Sequence, residues 1–186
     1  MPSRRETPPK LAGSLLLAHP GLLDPNFRRA VVLLSAHSDE SAMGVVLNRP
    51  LHKKLADISG DFALGDLADV PVFCGGPVKE KQLILSAWET TDEEGVFKLY
   101  FGLDPEKAAE LKSTRDQIEL RAFLGYSGWT EGQLEGELQQ NAWVVAPVDG
   151  VLIGVEEGVG MWRTIIRRIS PELRLLAEAP DDPQLN

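Results

Sequence analysis

The amino-acid sequence predicts an α+β domain, in which a mixed sheet packs against about four helices. Two apolar runs, Arg29–Ser35 and Met43–Asn48, are separated by a short polar loop, a spacing typical of an antiparallel β-hairpin. Other apolar runs alternate with segments of helical spacing, so the sheet is expected to contain helix-connected strands as well. Regular strand–helix alternation is absent from the start of the chain, which argues against a purely parallel sheet.

The N-terminal part of the chain contains one strand signal before the hairpin and two further segments after it. Ser14–Ala18 is a short apolar run with strand character. Pro50 begins a predicted short helix, because apolar residues recur at helical spacing as far as Ile58. Val70–Phe73 predicts an edge-like strand, since Pro71 removes one hydrogen-bond donor from the ladder.

The middle of the chain predicts three strands and one helix. Gln82–Trp88 and Val96–Phe101 have strand character, and the second alternates in the manner of a half-buried strand. Asp104 is placed as the N-cap of a helix, with Pro105 at its first position. Ile118–Leu124 alternates again and predicts the strand that follows this helix.

The segment Gly125–Trp143 is expected to organise the fold, because it contains a well-marked helix start between two strands. Thr130 is placed as the N-cap, and Gln133 three residues later completes a capping box. Trp129 and Leu134 occupy the positions of a hydrophobic staple, which sets the angle at which the chain enters the helix.

Two glycines, Gly132 and Gly136, lie on the face of this helix opposite its core-facing leucines. Each costs about 1 kcal/mol relative to alanine in a helix interior. The short helix either tolerates them or uses them for close packing against another backbone, a partner or a ligand.

The C-terminal third predicts two strands and a strongly amphipathic helix. Ala142–Ala146 is an apolar core strand, and Val151–Val155 predicts a further short one. The last helix covers about Gly160–Ile169, buries Trp162 on its apolar face and ends at Pro171.

A single domain is predicted for residues 11–177, with a disordered lead-in at 1–10 and an acidic flexible tail at 178–186. The chain has 28 acidic and 19 basic residues and a net charge of −9, which works against DNA or an anionic membrane as a partner. It contains neither a secretory signal nor the ~20 consecutive apolar residues that cross a bilayer, so a cytoplasmic location is expected.

Residues with reactive side chains form no coherent catalytic group in the sequence. Cys74 precedes two glycines whose amides could form an anion-binding nest, but a lone cysteine is usually a small buried apolar residue. Ser127 lies in Gly-Tyr-Ser-Gly-Trp, whose spacing departs from the nucleophile elbow. The histidines, which have no metal-ligand spacing, are His19, His37 and His52. No catalytic residue, metal site or cofactor is therefore predicted.

A candidate binding site follows from the predicted hairpin. The start of its first strand lies beside the end of its second, so polar and basic side chains from both ends converge, with two glycine amides on one wall. The candidate ligand-binding residues are Asp24, Arg28, Asn48, Arg49, Gly75 and Gly76. They form either a salt-bridged, hydrogen-bonded turn cluster or a small polar pocket for an anionic or planar ligand.

Four blocks of sequence are LAGSLLLAHPGLLDPNFRRAVVLLSAH, MGVVLNRPL, FCGGPV and GYSGWTEGQLEGELQQNAW. In this order they resemble the YqgE/AlgH family of small bacterial proteins, over about Leu11 to Trp162. The resemblance implies a curved, largely antiparallel sheet that approaches a pseudo-barrel. Some family members are labelled transcriptional regulators, and the family has no agreed catalytic residues or substrate. Gly154, at a position where we expect an aromatic residue, and the C-terminal segment depart from the family pattern.

Together these observations predict a non-enzymatic regulatory or adaptor-type protein that binds a protein partner or a small ligand. A role in transcription would be indirect, because the best basic surface, formed by Arg163, Arg167 and Arg168, is flanked by acidic segments. The alternative is an enzyme of unknown reaction whose polar pocket is built from Arg28, Asn48 and the Gly75-Gly76 turn.

Overall fold

The computed structural model describes residues 10–90, 97–148 and 157–180. The strands are β1 (Ser14–Ala18), β2 (Val31–His37), β3 (Ser41–Val46), β4 (Pro50–Lys54), β5 (Pro71–Cys74), β6 (Val78–Thr90), β7 (Phe97–Leu103), β8 (Glu119–Thr130) and β9 (Trp143–Pro147). The α-helices within the described ranges are α1 (Leu55–Ile58), α2 (Pro105–Thr114), α3 (Gln133–Gln139), α4 (Gly158–Ile169) and α5 (Arg174–Glu178). Short 3-10 turns cover Gly60–Phe62 and Pro171–Leu173.

The predicted α+β class is confirmed: the nine strands form one open, largely antiparallel sheet in the order β4-β5-β8-β3-β2-β1-β9. β6 pairs with β8 and carries β7 on its other side. The predicted hairpin forms between β2 and β3, and β5–β8 is the single parallel pairing among the described strands. Because β8 pairs with β5, β6 and β3 along its 12 residues, it connects both halves of the sheet.

The described residues form three apolar cores against this sheet. The largest covers one face of β1, β2 and β3 and includes Trp162 of α4, whose side chain is fully buried. On the opposite face, Trp129, Leu134 and Trp143 form a second core under α3. The third core lies under α1 and α2. The buried positions of Trp129 and Leu134 agree with the predicted contact between the end of β8 and α3.

The predicted helix start at Thr130 is wrong. Thr130 is the last residue of β8 and pairs with Ser41, and α3 begins only after Gly132, whose φ is +71°. One half of the capping box is retained, because the Thr130 N–H donates to Oε1 of Gln133 at 3.1 Å. The pairing with Ser41 keeps Thr130 in extended backbone at the end of β8, so the helix begins only after the chain has turned at Gly132.

Two other segments also differ from expectation. The predicted helix from Pro50 is wrong over its first half, because Pro50–Lys54 pairs with β5 and α1 begins only at Leu55. β5 was expected to be an edge strand but lies between β4 and β8. Pro71 is tolerated there because it is the first strand residue, where one missing N–H interrupts the ladder least. Val151–Val155 lies outside the described residues.

Candidate binding site

Asn48 lies at the base of the β2–β3 hairpin and is 4% exposed. Its Oδ1 accepts a hydrogen bond from the Val31 N–H at 2.9 Å. Its Nδ2 donates to the carbonyls of Arg29 and Gly158, both at 2.9 Å. The Asn48 amide therefore connects both ends of the hairpin to the start of α4, and these backbone groups satisfy most of its hydrogen-bonding capacity.

Arg49, the next residue, is half-buried beside the Asp24 loop. Its Nη2 donates to the carbonyls of Pro25 at 3.3 Å and Arg28 at 3.2 Å. Burial lowers the pKa of the Arg49 guanidinium from its ordinary value, and nearby Cys74 and Asp24 oppose this shift. Since an arginine stays charged at neutral pH in proteins, Arg49 supplies a positioned cation at this corner.

The loop that holds Arg49 is itself organised by Asp24. The Asp24 carboxylate Oδ1 accepts from the Asn26 N–H at 2.7 Å, and the Asp24 carbonyl accepts from the N–H groups of Phe27 and Arg28. This turn brings the half-buried Arg28 to the start of β2. Asp24, Arg28 and Arg49 thus lie together at one corner of the molecule, which we call the Arg49 corner.

Gly75 and Gly76 form a close contact between two backbones. The Gly75 N–H donates to the Leu124 carbonyl at 2.8 Å. A Cβ added at Gly75 would lie 2.3 Å from the Gly125 carbonyl oxygen, and one at Gly76 would lie 2.3 Å from the Tyr126 carbonyl. Only glycine, which has no side chain, allows the two backbones to come this close. The turn thus joins β5 to the middle of β8, and its Gly75 amide is already engaged.

Arg29 is a buried arginine that sequence reasoning did not select. Its φ is +53°, its exposure is 6%, and its guanidinium carbon lies 4.9 Å from the Trp162 ring centroid. Its Nη2 donates to the Ala179 carbonyl at 2.7 Å and its Nη1 to the Ala177 carbonyl at 3.3 Å. These bonds connect the hairpin to the C-terminal helix α5. Arg28 and Arg29 are adjacent in the sequence, and nothing in the local sequence indicates which of the two is buried.

A second buried arginine, Arg121, lies beside the largest core. Its guanidinium carbon is 4.7 Å from the Phe73 ring and 4.8 Å from the Trp88 ring, and its Nε donates to Oε1 of Glu119 at 2.8 Å. Ser86 pairs with Arg121 across the β6–β8 ladder, and its buried hydroxyl has no hydrogen-bond partner among the described residues. In the alternating pattern Arg121 shares a face with Glu119 and Phe123, so the alternation places it on the more polar face and does not indicate its burial.

Within the described ranges, no three His, Cys, Asp or Glu side chains come together in a way that could hold a metal ion. None of the helices there is both long and apolar enough to cross a membrane. The fold and the Arg49 corner therefore define a small α+β domain with a positioned cation at the base of a central hairpin.

The family model described as AlgH-like matches residues 15–174, and the chain belongs to this family. The expected family is thus confirmed. The chain is 40% identical over 187 residues to the UPF0301 protein SCO2948 of Streptomyces coelicolor, and the match covers 95% of both chains. It is 33% identical to the UPF0301 protein CT0663 of Chlorobaculum tepidum, with 94% of this chain and 95% of that one covered. These names assign no activity.

Two solved structures are similar in fold. The crystal structure of DIP2367 from Corynebacterium diphtheriae has a TM-score of 0.70 and 23% identity, and the match covers 96% of this chain and 100% of that one. The solution structure of AlgH from Pseudomonas aeruginosa has a TM-score of 0.65 and 25% identity, over 95% of this chain and 98% of that one.

Proposed function

We propose that this protein is a non-enzymatic adaptor-type domain that binds an anionic group of a protein partner or small ligand at the Arg49 corner. A cytoplasmic location and an indirect role in transcription are part of the proposal. The observation that carries it is the state of Arg49: its guanidinium is held by two neutral carbonyls and forms no salt bridge with any described residue. The Asp24 carboxylate lies nearby without forming an ion pair with it, so the guanidinium can still pair with an incoming anion.

The geometry of the corner supports binding of an anion through the remaining donors of the guanidinium. The carbonyls of Pro25 and Arg28 engage Nη2 of Arg49, which leaves Nε and Nη1 to donate to a carboxylate or a phosphate. The same two carbonyls fix the direction of the guanidinium before a ligand arrives. Such preorganisation favours affinity because less side-chain freedom is lost on binding.

The enzymatic alternative requires Asn48 and the Gly75-Gly76 turn to face a substrate. Asn48 instead makes hydrogen bonds to three backbone groups, and Gly75 donates its N–H to Leu124. This arrangement favours a framework role for these residues and a ligand role for Arg49. The binding roles of Asp24 and Arg28 remain predictions.

The experiment compares protein capture and ligand-induced thermal shift for the wild type and for Arg49→Gln. Glutamine keeps a polar side chain with a hydrogen-bond donor but is shorter than arginine and lacks the charge. We expect the variant to lose captured partners or the stabilisation by small carboxylates and phosphates. Lys81→Ala, at an exposed lysine of β6, is the matched control and should behave as wild type. Circular dichroism must show that both variants are folded.

Two results would count against this proposal. If Arg49→Gln and wild type capture the same partners and respond to the same anions, the corner is not the binding site. If activity profiling finds turnover that Arg28→Ala or Asn48→Ala abolishes in a folded protein, the protein is an enzyme.

Direct recognition of DNA is not part of the proposed function. At a net charge of −9 the chain lacks the surplus of Lys and Arg that neutralises phosphates. In a titration with duplex DNA at about 0.15 M salt, we expect no binding below micromolar concentration. Sub-micromolar, salt-sensitive binding would show instead that the Arg163, Arg167 and Arg168 face contacts phosphate.

A further inference from the structure

The edge strand β9 has one strand neighbour, β1, within the described part of the chain. The His19 N–H donates to the Ala142 carbonyl at 2.8 Å, and the β1–β9 register continues from there without a shift. Hydrogen-bonded pairs alternate along an antiparallel ladder. Val144 therefore directs its N–H and C=O towards β1, whereas Trp143 and Val145 direct theirs away from the sheet.

A cleft of about 440 Å³ runs beside this free edge. Its residues are His19, Asn141, Trp143, Val144, Val145, Ser170, Glu172 and Leu173. The Val145 side chain is 41% exposed, and Leu173 forms part of the facing wall. An extended segment lying on β9 would thus have strand donors and acceptors on one side and an apolar contact on the other.

The cleft also contains a carboxylate. Glu172 is fully exposed, and its pKa lies below its ordinary value because its own backbone N–H and the Ser170 hydroxyl hydrogen-bond to it. Glu172 is therefore ionised at neutral pH. His19 accepts the Gly21 N–H at Nδ1, 3.0 Å away, so its Nε2 is the ring nitrogen left to interact across the cleft.

Within the described ranges the other edge strands are β4 and β7, and both carry features that discourage pairing with another chain. β4 contains Pro50, Lys53, Lys54 and a register shift, and the β6–β7 pairing has a shift as well as Lys98 on β7. Charges, proline and bulges are the usual protection of exposed strand edges. β9 has no charged residue and no shift, and only its terminal Pro147 interrupts the row of donors.

We propose that the free edge of β9 is a docking site for an extended segment of a partner protein, which adds as a further strand. The segment carries apolar residues that contact Val145 and Leu173, next to a Lys or Arg that faces Glu172. Main-chain bonds supply affinity in this mode of recognition, and alternate side chains supply specificity. The inference goes beyond the proposed function, because it concerns a surface separate from the Arg49 corner.

Amide hydrogen exchange in the free protein tests the geometry. The Val144 and Ala146 amides should be protected by β1, whereas the Trp143 and Val145 amides should exchange rapidly. Protection of the Val145 amide as strong as that of Val144 would show that the edge is already paired and would overturn the proposal.

Selection from a phage-displayed library of random dodecapeptides tests which kind of segment binds at the edge of β9. We expect enriched peptides with alternating β-branched or apolar residues and at least one Lys or Arg. Val145→Pro should weaken their binding about tenfold or more, because it removes an outward N–H and leaves a peptide carbonyl without its donor. The β1–β9 ladder does not use that N–H, so the variant is expected to fold.

Three matched variants complete the experiment. Val145→Thr keeps the branched shape and the N–H and should bind the peptides as tightly as wild type. Arg49→Gln should also bind them as wild type, which would show that the peptide site is separate from the Arg49 corner. Glu172→Gln should bind more weakly and with less salt dependence. The proposal is overturned if no peptide is enriched or if folded Val145→Pro binds as tightly as wild type. Concentration-dependent dimerisation that is abolished by Val145→Pro would show instead that the edge of β9 pairs with a second copy of the chain and not with a partner protein.

Discussion

Two glycine-containing regions of this protein have opposite physical roles. At the junction of β5 and β8, Gly75 and Gly76 lie where an added Cβ would come within 2.3 Å of another backbone. In α3 and its N-cap, Gly136 and Gly132 have no atom within 4 Å of that position. The first pair is required by packing between distant segments. The second pair faces open space. Among the described residues, no other backbone or side chain packs closely against these two glycines, so the helix tolerates them.

The difference shows that a glycine cannot be interpreted from its immediate neighbours in the chain. Gly132 still has a local role, because its φ of +71° is a conformation that L-amino acids rarely adopt. Gly136 has ordinary helical geometry and no contact, so it only lowers helix propensity. Substitutions in the two regions test this difference, beginning with the one that should cost the most stability.

Gly75→Ala should be the most damaging substitution. The new methyl group would overlap the Gly125 carbonyl, which is backbone held within β8 and cannot move aside. We expect a loss of about 3 kcal/mol or more in the free energy of unfolding, measured by urea denaturation. Gly65→Ala is the control, since its added Cβ meets nothing within 4 Å. Equal stability of the two variants would mean that the junction is not closely packed.

Trp129→Ala should follow, with a loss of about 3 kcal/mol or more. Trp129 is 4% exposed, stacks 6.1 Å from Phe27 and lies edge-on to Trp143 at 6.0 Å. Its Nε1 donates to Oε2 of Glu137, which also accepts from the Trp143 indole. Trp129→Phe keeps most of the packing and should cost less. A neutral Trp129→Ala would show that the segment around α3 does not organise the second core.

Gly136→Ala should stabilise the protein by up to about 1 kcal/mol, since alanine has the higher helix propensity and space is available. Gly136→Leu should also be tolerated. Gly132→Ala in the same segment is the matched contrast and should destabilise by about 1 kcal/mol, because its φ is positive. Thermal and urea unfolding of the pair measure this difference, and the same sign for both variants would contradict it.

Thr130→Ala should change stability least, by no more than about 0.5 kcal/mol. The Thr130 hydroxyl contacts only the Gln133 side chain, at 3.4 Å, among the described residues, and it caps no backbone N–H of α3. Gln133→Ala should cost more, about 1 kcal/mol, because Oε1 of Gln133 accepts the Thr130 N–H. Urea denaturation of both variants ranks them. If Thr130→Ala is the more damaging of the two, the hydroxyl acts as a cap in solution.

Part of the candidate site could be predicted because it depends on one hairpin. The β2–β3 pairing brings Arg49 beside Arg28, 21 residues away, and this proximity follows from the two apolar runs. The third partner of Asn48 could not be predicted, because Gly158 is 110 residues distant. The same applies to Arg29, whose burial depends on carbonyls near the other end of the chain.

Local sequence was sufficient to establish the α+β class, the β2–β3 hairpin and the helices with strong signals of their own. Asp104 caps α2 at the Lys107 N–H with Pro105 in the first turn, and the apolar face of α4 is buried as its spacing predicts. Long-range pairing was needed to establish that Pro50–Lys54 is a strand, that α3 starts after Gly132 and that β9 lies at an edge. These features depend on which distant backbone supplies each hydrogen bond, and local propensities, worth at most about 1 kcal/mol per ordinary residue, are too weak to oppose that pairing.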